Sequence, residues 1–555
     1  MNKLVLPTHT NERQENCLSG GQLLKWMDAA ACLSAEKHAG TSCVTASMDE
    51  LYFEQQIYVG QVVNLTARVN RAFNTSMEVG VKVQVEDLLR GEVQKVCEAF
   101  FTFVALDKEN RKQQLTPVVP FTEEEKSQYA LANERRRMRI QYPVNLKELA
   151  KKQNNNGGND MCTATENHQT RTGGEIAVVK TSLESVELVL PPHANHHQTA
   201  FGGQVMSWME AACTITATRL CRSHPQLQAV DEVKFRGPIK VGDRVIIKTR
   251  VNNTYDVHME VGCRVEAYSI GGEVRHVNSA FLIFVAPRRD DGRGGLKMLP
   301  QLRMETAEEK RRAVEAMARK RLRFEREQIR RSVGPVIAIP WSPRISQLLN
   351  YNNIEALMKL YQLTKWEEVQ SSSGVTLSKC DSDNYLCVKA TYSIQVRPEV
   401  AFTLLSDEVA RKEWDPLLIK VQVVEVVDDG DEILHMVLKN MMRNATQPDD
   451  VVLLVSRRVP CDRRDHFTIA YRSVIVTTLP PFPQYNRKEH LCSGMLIKET
   501  EGEQGKSTIT YINQTTHELQ SYVMGDLMGV TDFYVKRFKE LESFLVEKLS
   551  RASGT

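Results

Sequence analysis

The chain has 555 residues, which is too long for one hydrophobic core, so we expect about three or four domains. Its 72 Lys and Arg residues nearly balance its 69 Asp and Glu residues, leaving a formal net charge of +3. This small charge excludes the strong overall field of many nucleic-acid and membrane-surface proteins, and we predict neither kind of partner.

The twelve cysteines are scattered along the sequence, and none stands in a CxxC motif or a Cys/His cluster. This pattern predicts neither a metal site nor a disulfide framework. No apolar segment is long enough to span a bilayer, and the apolar run at residues 4–7 is too short for a signal peptide. We therefore expect a cytosolic protein with reduced thiols and no membrane span.

The first predicted domain, residues 1–120, begins with a short strand and a loop, followed by one long helix. The glycine pair Gly20-Gly21 opens this helix, and Trp26 and Met27 lie on its apolar face. Several strands rich in Val, Ile, Phe and Thr follow, without a second long apolar helix. This order predicts a curled antiparallel sheet that wraps around the helix.

Two polar segments follow the first domain. Residues 121–150 carry acids and bases interleaved at helical spacing, which is typical of a solvated charged helix. Residues 151–178 are polar and glycine-rich without periodicity, which is typical of a flexible linker. We therefore expect the first domain to end near residue 120.

Residues 179–300 repeat the first domain. A shift of 182 residues pairs Trp26 with Trp208 and Asp28 with Glu210, and the register continues through the strands with a single one-residue slip. Such agreement over a whole domain indicates a duplication. We predict a second domain of the same build, again with a long helix that opens on a glycine pair.

A second charged helix, residues 301–333, echoes the first, and beyond it the composition changes. Residues 334–555 predict a helix, a series of β-rich segments and a long C-terminal helix. An apolar stripe from Val530 to Leu549 on that last helix fits either a lid over an apolar cavity or ordinary core packing. We predict one further domain here and an α+β fold class for the whole chain.

The paired glycine–tryptophan helices and the strands that end in Val-Gly resemble the hot-dog thioesterase fold in tandem. The order of elements after residue 334, with the sequence RKEWDPLL, resembles a START lipid-transfer domain. Two hot-dog domains followed by one START domain is the arrangement of a narrow group of acyl-CoA thioesterases. The resemblance implies hydrolysis of short-chain acyl-CoA thioesters, with acetyl-CoA favoured, and a regulatory or lipid-binding START domain.

Because a lone hot-dog domain buries its helix only partly, we expect the two copies to pair into one continuous sheet with two composite clefts. In each cleft, the loop before one helix meets the helix of the other copy. Asp28 could accept a proton from an attacking water or attack the thioester carbon itself, and both routes fit the sequence. The alternative is a partly exposed charge without a catalytic role. At the start of the second helix, Gly202 and Gly203 offer backbone N–H groups as an oxyanion hole.

The two clefts differ in their polar residues. Asn195 lies seven residues before the glycine pair of its helix, whereas its counterpart Asn11 lies nine residues before its own. The helix carboxylates also differ, because Glu210 is one methylene longer than Asp28. We predict that Asp28 and the Asn195 loop form the intact cleft, and that the cleft of Glu210 is degenerate. The predicted catalytic residues are Asp28, Asn195, Gly202, Gly203 and Glu210.

A separate site is predicted for the nucleotide end of coenzyme A. In hot-dog thioesterases, this end is held at a corner where a strand leaves the sheet beside the helix. Arg236 offers a cationic fork for a phosphate there, whereas Glu54 has the opposite charge at the matching position of the first copy. The alternative for Arg236 is a solvated side chain at a strand end. The predicted coenzyme A residues are Glu54, Gln55, Gln56, Val83, Gln84, Val85, Phe235, Arg236 and Gly237.

Three functions compete for this sequence. The first is thioester hydrolysis without a cofactor, in which coenzyme A enters only as part of the substrate and product. The second is a lipid sensor or carrier with a catalytically weak hot-dog scaffold, and the third is hydration of an enoyl thioester. We expect hydrolysis, because Asp28 is retained and the His/Asp pairing of hydratases is not found on the helix. The resemblance further implies a trimer of double hot-dogs, control by ATP or ADP, and a lipid in the START-like domain.

Overall fold

The structure is a computed structural model of the chain. It describes residues 1–10, 16–155, 174–269, 271–286, 298–331, 339–343, 345–372, 374–382, 385–428, 430–439, 447–460, 465–500, 502–503, 505–516 and 527–553. Contacts divide the chain into two compact units, residues 1–119 with 139–321 and residues 120–138 with 322–555. Within the described ranges, none of the helices is both long and apolar enough to cross a membrane.

The first unit contains the two predicted copies, and each copy is a hot-dog domain in which strands wrap one long helix. The first copy and the helix after it comprise β1 (Asn2–Leu4), α1 (Gly20–Ala39), β2 (Cys43–Met48), β3 (Leu51–Tyr52), β4 (Val62–Ala72), β5 (Ser76–Asp87), β6 (Glu92–Ala105) and α2 (Glu123–Asn155). The second copy and its following helix comprise β7 (Glu175–Ala177), β8 (Leu183–Leu188), α3 (Gly202–Cys221), β9 (Gln226–Val230), β10 (Val233–Lys234), β11 (Arg244–Tyr255), β12 (His258–Tyr268), β13 (Arg275–Val285), β14 (Gln301–Arg303) and α4 (Ala307–Arg331).

Both long helices bury the face that their periodicity predicts. Met27 on α1 and Met209 on α3 are buried in one apolar core with the alternate residues of the strands, such as Val81 on β5 and Val261 on β12. Alternation of buried and exposed residues along a strand is what a sheet with one covered face requires. Trp26 is also buried in this core, as the apolar stripe on α1 predicts.

The copies do not form the single continuous sheet that we expected. Two six-stranded sheets are found, in the orders β1-β4-β5-β6-β2-β10 and β3-β9-β13-β12-β11-β8. Each sheet is completed by a two-residue strand of the other copy, because β10 pairs with β2 and β3 pairs with β9. The inner edges β2 and β9 are therefore covered by exchanged strands rather than paired with each other.

The composition of the two charged helices suggested that solvent surrounds them. In the structure, each helix instead contacts a buried residue of the sheet. Arg319 on α4 is 2% exposed, and its Nη2 lies 2.6 Å from Oε1 of the buried Glu260 on β12. The guanidinium also stacks 3.5 Å from the ring centroid of Phe281. In the first copy, Arg139 binds the matching Glu78 at 3.0 Å. Each helix thus places one arginine beside a buried glutamate on a central strand.

The second unit has the helix-grip arrangement of a START domain, in which a long C-terminal helix packs on a curved antiparallel sheet. Its elements are β15 (Ile339–Pro340), α5 (Ser346–Tyr361), β16 (Glu367–Ser372), β17 (Val375–Ser382), β18 (Tyr385–Ile394), α6 (Pro398–Leu405), β19 (Leu418–Asp428), β20 (Asp431–Leu438), β21 (Asp449–Arg458), β22 (Phe467–Ile475), β23 (Asn486–Arg487), β24 (Ser493–Glu499), β25 (Ser507–Thr516) and α7 (Leu527–Ser553). The main sheet has the order β16-β17-β18-β25-β24-β22-β21-β20-β19, with β15 beside β22 and β23 beside β21.

The apolar stripe of α7 packs into the interior of this unit. Phe538, Leu541, Phe544 and Leu545 are buried in the same core as the inner face of the sheet. The side chains of the stripe that precede residue 535 lie outside the described residues. The described part of the stripe therefore covers the concave face of the sheet.

Residues 120–138 belong to this second unit although they precede the second hot-dog copy in the sequence. Leu131 is buried in a cluster with Ile354 and Leu357 of α5. On the same segment, Glu134 Oε2 accepts a 2.7 Å hydrogen bond from Arg458 Nε. The first part of α2 is thus a structural element of the START-like unit.

Candidate active site

The start of α3 packs directly against α1, and the glycine pair makes this contact possible. A Cβ atom on Gly203 would lie 2.8 Å from Asp28 Cβ and 2.9 Å from Lys25 Cα. A Cβ atom on Gly202 would lie 2.9 Å from Thr45 Cβ. These distances are too short for any side chain, so the pair allows the other copy to approach, in addition to the role toward substrate that the sequence suggested.

Asp28 is 1% exposed and is held by two hydrogen bonds. Its Oδ2 accepts from the backbone N–H of Gly203 at 2.7 Å, and its Oδ1 accepts from the hydroxyl of Thr45 on β2 at 2.8 Å. Burial raises the pKa of this carboxyl from 3.8 to about 6, although both hydrogen bonds lower it. A carboxyl with a pKa near 6 has the strength that suits a general base close to neutral pH.

The Asn195 loop leads into the same helix start. Asn195 Oδ1 accepts hydrogen bonds from the backbone N–H of His197 at 2.9 Å and from the N–H and hydroxyl of Thr199. The loop closes where Phe201, the residue before α3, donates its N–H to the carbonyl of His193 at 3.0 Å. Asn195 Nδ2 has no acceptor among the residues that the structure describes. One half of the amide thus holds the turn, and the other half can serve a ligand.

The N–H groups at the start of α3 have unequal roles. The helix begins at Gly202, and Phe201 before it gives no side-chain cap. Since the N–H of Gly203 donates to Asp28, that group is not available to a thioester oxygen while this hydrogen bond is made. The N–H of Gly202 has no partner among the described residues and lies at the positive end of the helix dipole. The oxyanion hole of Gly202 and Gly203 stays a prediction, and of the two N–H groups that of Gly202 is the one without a partner among the described residues.

We define the first cleft by Asp28, Thr45, Gly203 and the Asn195 loop, and the second cleft by the matching residues of the other copy. In the second cleft, Glu210 is 2% exposed. Its Oε1 accepts a 2.8 Å hydrogen bond from Thr214, which lies on the same helix. Its Oε2 accepts a 3.3 Å hydrogen bond from Ser19, the N-cap of α1. Asn11 lies outside the described residues, so its position in this cleft stays a prediction.

The residue that matches Thr45 after the 182-residue shift is Leu227. Leu227 packs 2.6 Å from where a Cβ on Gly20 would stand, just as Thr45 packs against Gly202. A leucine cannot donate a hydrogen bond to the helix carboxylate. In both clefts a side chain packs against the first glycine of the helix, but only the first cleft has a hydroxyl there that can bind the carboxylate.

Each coenzyme A corner borders one cleft, and hydrogen bonds between the copies show which one. Phe235 donates its N–H to the carbonyl of Ala46, the residue after Thr45, at 2.9 Å. Phe53 donates its N–H to the carbonyl of Gln228, the residue after Leu227, at 3.0 Å. The corner of Arg236 therefore lies at the first cleft, together with Asp28, and the corner of Glu54 lies at the second.

The two corners also differ in charge. Glu54 lies 3.7 Å from Lys95, which also lies 3.3 Å from Glu98, so the one lysine at the corner of the second cleft is compensated by two carboxylates. Arg236 is exposed and forms no ion pair with any residue that the structure describes. Burial lowers the pKa of the neighbouring His276, and the charges of Arg236 and Arg264 lower it further. The corner of the first cleft thus has an uncompensated positive charge, which suits a phosphate.

The other predicted coenzyme A residues lie partly on a strand, β5, and partly in the segments that follow β3 and β10. Val83 and Val85 are buried core residues of β5, a strand paired on both sides, so their side chains and backbone are occupied. Gln84 between them lies on the opposite face of the strand. Gln55 donates to the carbonyl of Lys95 at 2.9 Å. The remaining two are Gln56, whose Oε1 accepts a hydrogen bond from Tyr58 OH, and Gly237, beside whose Cα a Cβ would meet nothing within 4 Å.

Thr45 is a residue of the first cleft that sequence reasoning missed, and it donates a hydrogen bond to Asp28. It lies on a short strand without a conspicuous motif. The repeat nevertheless contained a signal, because the polar Thr45 of one copy aligns with the apolar Leu227 of the other. The described residues contain no group of three or more His, Cys, Asp or Glu side chains placed to hold a metal ion.

Two hot-dog domains that bury a helix carboxylate against the other copy, followed by a helix-grip domain, define a thioesterase of the hot-dog class. A family model described as "Thioesterase superfamily" matches residues 15–91 and 197–272, and one described as "START domain" matches residues 346–523. The chain belongs to the acyl-CoA thioesterase family, and it is an acyl-CoA thioesterase with two hot-dog domains and a START domain.

The relatives extend over nearly the whole chain. "Acyl-coenzyme A thioesterase 11" of Mus musculus is 43% identical and covers 99% of this chain and 90% of its own length. "Acetyl-coenzyme A thioesterase" of Mus musculus is 39% identical and covers 95% of this chain and 93% of its own length. A solved structure described as "Crystal Structure of Apo-Hexameric Acyl-CoA Thioesterase" is 33% identical, covers 28% of this chain and 97% of its own, and has a TM-score of 0.26.

Proposed function

We propose that the chain hydrolyses short-chain acyl-CoA thioesters, with acetyl-CoA favoured, at the first cleft. The observation that carries this proposal is the buried Asp28, which receives hydrogen bonds from Thr45 of its own copy and from Gly203 of the other. A preference for acetyl-CoA draws on one relative, which has the name "Acetyl-coenzyme A thioesterase". A lipid sensor with a catalytically weak scaffold is not favoured, since the relatives over the full chain are thioesterases.

Asp28 acts as a general base in the proposed reaction. It takes a proton from a water molecule as the water oxygen attacks the thioester carbon. The carbonyl oxygen becomes an oxyanion, to which the N–H of Gly202 is the candidate donor. When the C–S bond breaks, the thiolate of coenzyme A takes the proton from Asp28, so the carboxylate is restored and the free acid leaves.

Direct attack of Asp28 on the thioester carbon is the alternative route, and it would form a mixed anhydride. A single turnover in water enriched in ¹⁸O tests for the anhydride. Label in Asp28 would establish it, because water then opens the anhydride at the enzyme's carbonyl, whereas direct attack by water on the thioester leaves Asp28 unlabelled. We favour the general base, because both oxygens of Asp28 already accept hydrogen bonds and are poorly placed to attack.

The other residues of the first cleft have roles that follow from their positions. Asn195 Nδ2 binds the attacking water or the thioester oxygen, since Oδ1 is used by the loop. Arg236 binds a phosphate of coenzyme A at the corner beside β2. The second cleft has no counterpart of Thr45 beside Glu210, and the lysine at its corner is compensated by two carboxylates, so we infer that this cleft contributes little to turnover.

The primary test is the release of thiol from acyl-CoA substrates of increasing chain length by the purified protein. We expect kcat/KM to be highest for acetyl-CoA and to fall as the chain lengthens. A maximum at long chains would contradict the substrate preference and leave the hydrolase assignment intact.

We also propose that the START-like unit binds a single-tailed lipid, such as a fatty acid, beneath α7. The support is the buried apolar face of this helix and a buried ion-pair network at its side. Arg411 contacts Glu408 at 3.2 Å and Asp415 at 3.0 Å, and Arg537 of α7 contacts Asp415 at 2.6 Å. Native mass spectrometry of the delipidated protein with added fatty acid should detect a one-to-one complex, and no added mass would contradict the proposal.

Three further features are proposed from the family resemblance alone: a trimer of double hot-dogs, control by ATP or ADP, and a cytosolic location. Analytical ultracentrifugation tests the first, and thioesterase assays with each nucleotide test the second. Ten cysteines in the described part of the chain are thiols rather than disulfides, which agrees with a reducing compartment. Fractionation of cells that produce the protein tests the location.

A further inference from the structure

Asn278 on β13 is a fully buried amide without a hydrogen-bond partner. Its side chain is 0% exposed, and neither Oδ1 nor Nδ2 contacts a donor or acceptor among the described residues. Burying an amide without partners costs free energy, so such groups are rare and usually serve a purpose. A ligand that supplies both hydrogen bonds would remove this cost.

The side chain of Asn278 points to the interior of the second copy. It stands directly opposite Val265 in the antiparallel pair of β12 and β13, and residues in such a pair share one face of the sheet. Val265 is part of the buried core, as is Ala280 two residues further along β13. The amide therefore faces the same interior as the helices.

Asn278 also lies behind the segment that borders the first cleft, residues 233–240. The segment begins as β10, paired with β2 beside Thr45. It continues with Arg236, whose N–H donates to the carbonyl of Val277 at 2.9 Å, next to Asn278. It ends where Lys240 pairs with Thr199, whose hydroxyl binds Asn195. One segment thus connects the phosphate corner, Asn278 and the catalytic loop.

The first copy has no amide at this position. Cys97 stands opposite Val83 just as Asn278 stands opposite Val265, so the two residues match in register. Cys97 is fully buried and belongs to the corner of Glu54 at the second cleft. The amide is therefore found on the side of the molecule that also has Asp28, Asn195 and Arg236.

We propose that Asn278 binds an amide of the pantetheine arm of coenzyme A. Its Nδ2 donates to the amide carbonyl, and its Oδ1 accepts from the amide N–H. The two secondary amides of coenzyme A lie between its phosphates and its thioester. Asn278 follows Val277, which binds the N–H of Arg236, and the segment of Arg236 begins as β10, which pairs with the strand of Thr45. The inference rests on the proposed function, because it requires that substrate enters the first cleft.

The test is Asn278→Cys, which installs the residue of the matching position in the full-length protein. We expect KM to rise about 10-fold for both acetyl-CoA and acetyl-pantetheine, the scale of one lost pair of buried hydrogen bonds. The melting temperature without ligand should stay equal or rise, because an unpaired buried amide has been removed. The increase in melting temperature on adding coenzyme A should shrink.

Arg236→Ala serves as the matched variant, since acetyl-pantetheine lacks the nucleotide phosphates. It should raise KM for acetyl-CoA and leave KM for acetyl-pantetheine as in the wild type. Asn278→Ser is a second replacement in case the cysteine variant fails to fold. Failure of both to fold would overturn the proposal, because it would make the amide part of the folded core.

Unchanged KM values and an unchanged response to coenzyme A in Asn278→Cys would also overturn the proposal and assign Asn278 a purely structural role. Failure of the proposed function is a separate result. It would appear as a wild-type protein that does not turn over acetyl-CoA, whereas binding of coenzyme A can still be measured by melting temperature in that case.

Discussion

Asp28 of the first copy and Gly203 of the second are joined by a 2.7 Å hydrogen bond, so the carboxylate that we propose as the general base is held by the helix start of the other domain. Neither copy alone can make this contact. Each cleft takes its carboxylate from one copy and its helix start from the other, so the proposed site needs both copies.

We expect Asp28→Asn to lower kcat for acetyl-CoA by on the order of 10²-fold or more, because it removes the proton acceptor at nearly unchanged volume. Thiol release measures the rate, and circular dichroism checks the fold. Glu210→Gln is the matched variant for the second cleft and should cause a much smaller loss. Near-wild-type turnover in Asp28→Asn, with a large loss in Glu210→Gln, would transfer the role to Glu210.

The pH dependence should report the ionisation of Asp28. Its pKa is raised to about 6, mainly by burial, so kcat/KM should rise with pH through about 6 and level off above it. Thr45→Val removes a hydrogen bond that lowers this pKa, so the rise should move to higher pH. Thr45→Ser keeps the hydroxyl and should keep the wild-type profile. Identical profiles in the valine and serine variants would exclude Asp28 as the titrating base.

Asn195→Ala should reduce kcat strongly, whereas Asn11→Ala should cost little, because the longer first loop belongs to the second cleft. Asn195→Asp makes the comparison sharper, since it keeps an acceptor for the turn and loses the Nδ2 donor. A loss of about 10²-fold in Asn195→Asp would assign the effect to Nδ2. Equal losses in Asn195→Ala and Asn11→Ala would refute the unequal clefts.

Arg236→Glu copies the charge found at the matching position of the first copy. We expect KM for acetyl-CoA to rise about 10-fold or more, with kcat little changed, because a charge-assisted contact with phosphate is replaced by repulsion. The effect should weaken as salt is added. Lys180→Glu, which reverses the same charge on the exposed surface of the same copy, is the control. An equal increase in KM in Lys180→Glu would show that the effect comes from the net charge of the protein and not from a contact of Arg236.

Much of the fold could be predicted because the sequence pattern of each helix and long strand occurs in both copies. Trp26 and Trp208 fixed the register of the two helices, and alternating apolar residues located the long strands. The exchange of β3 and β10 could not be predicted, since a two-residue strand has no periodicity to read. The buried role of Arg319 was also missed, because an arginine in a charged helix looks solvated until its partner Glu260 is placed.

The candidate site was predicted in part for a similar reason. Asp28 and the glycine pair stand in a conspicuous repeated motif, and the structure brings them together. Thr45 and Asn278 do not belong to such a motif. Each lies on a strand, where a polar residue can face either side of the sheet. Their positions became informative only because the other copy has Leu227 in place of Thr45 and Cys97 in place of Asn278. A search for residues that the two copies share overlooks such differences.

The membership of residues 120–138 in the START-like unit has a consequence for how the chain can be cut. The hydrolase and the START-like part are interleaved along the sequence rather than arranged end to end. Removing everything after residue 321 would leave Leu131 without Ile354 and Leu357, and Glu134 without Arg458. The START-like unit is therefore not an appendage that evolution or an experimenter can delete with one break, and its loss would expose the buried residues of α2, such as Leu131.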